Sequence, residues 1–236
     1  MFRSLLVLPT LFASSLALVF AVDSSTLALS QNFTRAIIRG YGPGCSVGGQ
    51  VDPNFLSSYN NARAAGFNDF DIYWPPCNGS TYNCTSHANQ LSEISAILSA
   101  QSIKIGTFWI EIEREFVGCL GWDYGSGNIA QAQQLIAAVK ATDFNFGIFS
   151  GSGTWTNIFG SINFVLDNTA PLWFTSFTNT PTIAFGAPFG GWTTAVGQQY
   201  ADVAPAEDGG LVFDLNVSLA SVTRTVPGYM CHTFSN

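Results

Sequence analysis

The stretch KIGTFWIEIE, residues 104–113, decides how this chain folds. In an extended strand, side chains two apart share a face. Ile105, Thr107, Trp109, Glu111 and Glu113 therefore line one side, and Phe108, Ile110 and Ile112 the other. The plainer reading is an acidic strand with one face in water. Trp109 on the acid side and an unbroken apolar row opposite argue instead for a strand covered on both faces, as in parallel sheets flanked by helices.

The carboxylates of Glu111 and Glu113 then stand about 6 to 7 Å apart, where partial burial and mutual repulsion let one hold its proton near neutral pH. Glycoside hydrolysis uses such a pair: a neutral acid to protonate the leaving oxygen and a negative group to steady the cationic sugar. In a chain with 10% charged residues, burying acids without a role is costly.

Working outward, seven further stretches read as strands: 21–26, 35–41, 68–74, 144–150, 172–177, 197–201 and 211–217. Helical spacing falls between them. The segment 52–66 opens near Pro53 and stops at Gly66, 86–101 aligns Leu91, Ile94, Ile97 and Leu98, and 128–142 aligns Ile129, Ala132, Leu135, Ile136 and Val139. Eight strands alternating with helices that thin out late predict an α/β chain closed as a barrel, with its chemistry at the strands' C-terminal ends.

Residues 1–21, with Arg3 ahead of apolar blocks and Ala21 at the end, read as a secretory signal peptide. That leaves a barrel domain over 22–217 and a tail over 218–236, which could pack against it. No later segment has the apolar length of a membrane span, so no membrane partner is expected after the leader is removed. Losing Arg3 moves the net charge from −7 to −8, and no basic stripe exists to neutralise phosphates, which argues against nucleic acid.

Sequons at Asn32, Asn78, Asn83 and Asn216 fit a secreted glycoprotein, with Asn78 and Asn83 the preferred acceptors. Of the five cysteines, Cys77 and Cys84 enclose a short polar loop and are paired here; Cys45, Cys119 and Cys231 are left unassigned. With His87 and His232 the only histidines, no metal site and no cofactor is expected. The sequence GCSVG (44–48) fits a serine-nucleophile pattern, yet further glycine follows where a helix is required.

At this level the chain resembles the lysozymes of glycoside hydrolase family 25, the Chalaropsis-type muramidases, and especially their secreted eukaryotic branch. The matching stretches are AVDSST, IIRGYG, VDPN, NARAAGF, IYWPPC, FWIEIE, GIFSGSGTW, PLWF, FGGWTTAVGQQYA and FDLN, in the family's order over about residues 22–217. The resemblance implies a flattened TIM-like barrel with fewer helices in its C-terminal part. It also implies cleavage of the β-1,4 link between N-acetylmuramic acid and N-acetylglucosamine in peptidoglycan.

By that resemblance Glu113 matches the general acid of a D-x-E signature, and Glu111 replaces its aspartate, which is thought to assist the substrate's N-acetyl group. Asp23 and Asp214 match acids on the first and last strands. Tyr73, Trp173 and Trp192 would line the sugar groove, joined by Trp109 from the acid face, while Phe174 and Phe177 stand where relatives often carry tyrosine. The competing reading is a catalytically weakened barrel that binds cell-wall glycan. A monomer is expected, secreted or held in an acidic digestive compartment. Its activity optimum is expected below pH 6, because the net charge repels an anionic wall and the acid must hold its proton.

Overall fold

The computed structural model describes residues 18–24, 34–42, 48–78, 84–113, 122, 125–201 and 214–219, with side chains in all but 18–24 and 214–219. The elements in chain order are Leu18–Ser24 (β1), Arg35–Arg39 (β2), Tyr41–Gly42 (β3), Gln50–Val51 (β4), Phe55–Ala64 (α1), Asp69–Trp74 (β5), His87–Ala100 (α2), Phe108–Glu111 (β6), Ile129–Lys140 (α3), Phe146–Ser150 (β7), Ser152–Phe159 (α4), Leu172–Thr175 (β8), Gly197–Ala201 (β9) and Asp214–Leu219 (β10). A single 3₁₀ turn, Ser126–Asn128, leads into α3.

Eight strands close a barrel in the order β1-β2-β5-β6-β7-β8-β9-β10, while β3 and β4 form a small separate hairpin. The strands from β1 to β9 run parallel around the barrel. Strand β10 runs antiparallel to both β9 and β1 and seals the ring. This is the TIM-like α/β barrel expected, with all eight strand candidates in place. Helices follow the early strands, but residues 176–196, between β8 and β9, form none.

Alternation along each strand builds two cores. Outward-facing Ala36, Ile38, Phe70, Ile72, Trp74, Phe108, Ile110, Ile112, Phe146, Ile148, Leu172 and Phe174 pack against the helices. Each fully buried Ile, Leu or Phe of this row stabilises the fold by about 1.5–3 kcal/mol. Inward-facing Ile37, Trp109, Phe149 and Trp173 form a second, smaller cluster inside the ring. Gly147 makes room for it, because a Cβ there would stand 2.3 Å from Cζ3 of Trp109.

Below this layer the barrel holds charge. Arg35 donates to Asp69 through Nε (2.9 Å) and Nη2 (2.7 Å), and its Nη1 lies 3.7 Å from Asp71. Asp71 also accepts from the Trp109 indole (2.9 Å) and the Thr107 N–H (2.8 Å). Burial lowers the affinity of Arg35 for its proton, but Asp71 and Asp69 outweigh it and the guanidinium is held above its usual range. Burial likewise pushes the Asp71 carboxyl up, opposed by Arg35 and both N–H donors.

Several expectations change. Strand β1 begins at Leu18 and pairs Leu18–Ala21 with Asn216–Leu219, so a leader cut after Ala21 would strip four of its seven residues. Strand β10 likewise runs to Leu219, past the domain end expected at 217. The eight-residue helix α4 has no counterpart among the helical stretches read from sequence: Gly153, Thr154 and Thr156 are poor helix formers, and burial of Trp155, Ile158 and Phe159 holds it instead.

Cys77 and Cys84 form the expected disulfide, with Cα atoms 5.5 Å apart. Asn78 inside that loop is 1% exposed, with Oδ1 2.7 Å from His87 Nε2, so its amide is closed to a glycan. Gln90 bridges the loop to α2: it accepts from the Cys77 N–H (3.0 Å) and donates to the carbonyls of Cys77 (2.8 Å) and Thr85 (2.9 Å). Asn32, Asn83, Cys45, Cys119, Cys231 and the tail beyond Leu219 lie outside the described residues, as do the side chain of Asn216 and most of GCSVG. After Gly48 and Gly49 the chain enters β4, not a helix.

Candidate active site

Strand β6 carries its acids to the mouth of the barrel, where the parallel strands end. Backbone pairing extends one residue past β6 through the Ile112 N–H to the Phe149 carbonyl (2.9 Å), and the Ser150 hydroxyl donates to the Ile112 carbonyl (2.7 Å). These bonds fix the chain immediately before Glu113. The expected two-faced burial holds: Phe108, Ile110 and Ile112 are fully covered, Trp109 is 2% exposed, and Glu111 and Glu113 are half-buried.

Glu113 reaches the first turn of α4. The Thr154 hydroxyl donates to its Oε2 (3.1 Å). Gly151, the N-cap of α4, permits the approach: a Cβ there would sit 2.7 Å from the Thr175 methyl and 3.4 Å from Glu113 Oε1. Burial pushes the Glu113 carboxyl up to about 7, against the Thr154 hydroxyl and the Gly151 N–H, which both favour the ionised form. A glutamate with that proton affinity is poised to give up and take back a proton near neutrality.

Glu111 is the last residue of β6 and pairs with Phe149 of β7. Asp23 and Asp214 are register partners across the β1–β10 seam, and Asp23 also pairs with Ile37 of β2. Because β1 ends, and antiparallel β10 begins, at the end of the barrel where β6 ends, the backbone carries all four acidic positions to one rim. The barrel geometry predicts that convergence; the side chains of Asp23 and Asp214 are not described.

The aromatic expectations divide. Tyr73, at the top of β5, is half-buried and packs on the inner cluster. Trp109 and Trp173 are 2% and 3% exposed, with centroids 5.6 Å apart, and Trp173 leans on Phe149 at 4.1 Å. They form a dry floor under the mouth and offer no open ring face. Trp192 departs furthest: it is 5% exposed in the outer core against Trp155, and its indole donates to the Ala170 carbonyl (2.8 Å). The β8–β9 connection carries it outside the wall, so it does not line a groove.

Phe174 also points outward, 5.0 Å from Phe185, so a tyrosine hydroxyl there would meet core and not substrate. Phe177, two residues past β8, is 54% exposed. Sequence reasoning missed Thr154, Asp71 and Arg35. Asp69 and Asp71 alternate within an apolar strand just as Glu111 and Glu113 do, and that signal could have marked them; Thr154 lies 41 positions from its partner with no local mark.

The chain's relatives agree with this architecture. A family model described as "Lysozyme-like protein 1" matches residues 12–200. "Probable GH family 25 lysozyme 2" of Dictyostelium discoideum is 32% identical over 83% of this chain and 84% of its own length. "Lysozyme-like protein 5" of Caenorhabditis elegans is 34% identical over 65% of this chain and 68% of its own. The fold is similar to that of the bacterial lysozyme from Streptomyces coelicolor, with a TM-score of 0.56 at 16% identity, covering 86% of this chain and 93% of that one. An eight-stranded barrel with acids at its mouth and a match of this extent make the chain a member of the glycoside hydrolase family 25 lysozyme-like proteins.

Proposed function

We propose that this chain is a secreted muramidase that hydrolyses the β-1,4 link between N-acetylmuramic acid and N-acetylglucosamine in peptidoglycan. The observation that carries the reading is Glu113: a carboxyl at the barrel mouth, buried enough to hold its proton to about pH 7. Protonated Glu113 gives its proton to the glycosidic oxygen as the bond from that oxygen to the sugar's anomeric carbon breaks. Glu111 supplies negative charge beside it and assists the N-acetyl group. Water then adds at the anomeric carbon, and Glu113 takes back a proton as base. Asp23 and Asp214 orient substrate and set the charge of the rim.

A second reading, a glycan-binding barrel with weakened catalysis, is favoured by one feature. Glu111 is one methylene longer than the aspartate of the family signature, which moves its carboxylate by over ~1 Å. One assay separates the two. Purified peptidoglycan is incubated with the chain and with Glu113→Gln, and new reducing ends are identified by mass. Muramic acid reducing ends from the wild type alone support the muramidase. Binding without release by either protein leaves only the binder.

A further inference from the structure

Glu113 has an unusual set of neighbours. The elements that meet at it are β6, β7, α4 and β8, and their sequences FWIE, FGIFS, SGTWTNIF and LWFT contain one ionisable side chain, Glu111. Asp23 and Asp214, on the same rim by backbone register, are acidic as well. No cation faces Glu113 from these elements. What opposes its burial is the first turn of α4, where the Thr154 hydroxyl reaches Oε2 and the Gly151 N–H stands close by. The positive end of the helix dipole points the same way.

We propose that Thr154 is a positioning residue for Glu113: its hydroxyl fixes the carboxyl against α4 and receives the anion left when the proton passes to the glycosidic oxygen. Three observations converge on it. Among the described residues Oε1 has no side-chain hydrogen-bond partner, so Thr154 supplies the described side-chain contact that sets the rotamer. Gly151 leaves space for the helix to come this close, since a side chain there would collide with Thr175. Thr154 itself is half-buried, and no second role competes for its hydroxyl among the described hydrogen bonds.

The proposal rests on Glu113 being the acid, so the test separates the two claims. The chain has five glutamates, and selective carboxyl ¹³C labelling with Glu113→Gln as the assignment control gives the Glu113 titration directly, with no need for activity. Loss of a hydrogen bond to the charged form should raise the Glu113 midpoint by about one pH unit in Thr154→Val, and Thr154→Ser should restore it. On soluble peptidoglycan fragments, kcat of Thr154→Val should fall about tenfold at the optimum with KM unchanged. An unchanged midpoint in Thr154→Val whose circular dichroism matches the wild type overturns the proposal. A shifted midpoint in a chain that releases no sugar in any form keeps the positioning role and removes the enzymatic reading instead.

Discussion

Replacing Glu113 by glutamine should abolish hydrolysis and stabilise the fold, and the stabilisation should appear only as the pH rises. In the folded chain Glu113 holds its proton to about 7 against an ordinary value of 4.5. Between those values the native state binds a proton that the unfolded state has released, so stability from this group is full below 4.5 and is lost as the pH rises through 7. Linkage over that interval gives a loss of about 2.5 kcal/mol between pH 5 and pH 8. Glutamine stays neutral, keeps an oxygen for the Thr154 hydroxyl and fills the same space, so Glu113→Gln escapes the loss. Every other titrating group is common to both proteins and cancels in the difference. Urea unfolding of both at pH 5 and pH 8 measures it. At a slope of about 2.5 kcal/mol per molar, the variant's midpoint should gain about 1 M on the wild type across that range. Parallel shifts of both midpoints would show that Glu113 is not held neutral by burial, and the assignment of the acid would fall with it.

On the proposed muramidase reading the same proton sets the rate: turnover should hold below pH 6 and fall tenfold per unit above about 7, in a profile of peptidoglycan hydrolysis at constant ionic strength. Gly147→Ala puts a methyl group 2.3 Å from the Trp109 ring, and thermal unfolding should show about 1–3 kcal/mol of lost stability. Strand β1 starts at Leu18, directly after Ser15-Leu16-Ala17, a small-residue pattern suited to leader cleavage. For a chain exported by way of such a leader, terminal sequencing should therefore read Leu18; a start at Val22 would mean that the barrel closes without most of β1.

Much of the barrel was legible because its strands obey period two on both faces at once. In β6, Trp109 and Glu111 against Phe108 and Ile110 fixed both the strand and its double burial. What failed to show was anything decided by contacts distant in sequence. Trp192 looked like a groove aromatic, yet the helix-free run 176–196 carries it to Trp155 outside the wall. Asn78 looked like an exposed acceptor, yet it is buried beside the Cys77–Cys84 disulfide with its Oδ1 against His87 of α2. Helix α4 has weak local propensity and exists because Trp155, Ile158 and Phe159 are buried.

The deepest of these gaps concerns two acids that look alike in sequence. Asp71 and Glu113 both sit on inward faces of adjacent parallel strands or just past their ends, and burial disfavours the charge on each. Asp71 meets Arg35 at 3.7 Å and two N–H donors, which oppose the burial that disfavours its charge, and it ties Trp109, the floor of the mouth, to the lower barrel. Glu113 meets a hydroxyl and a helix N-terminus, which hold a carboxylate in place without neutralising it. An acid that is fixed, shielded and, among the described residues, left without a cation keeps its proton available for transfer; one given an arginine becomes part of the scaffold. The partner that makes this difference, Arg35, stands 36 positions from Asp71 on another strand, so the closed barrel separates the two roles where the D-x-D and E-x-E patterns do not.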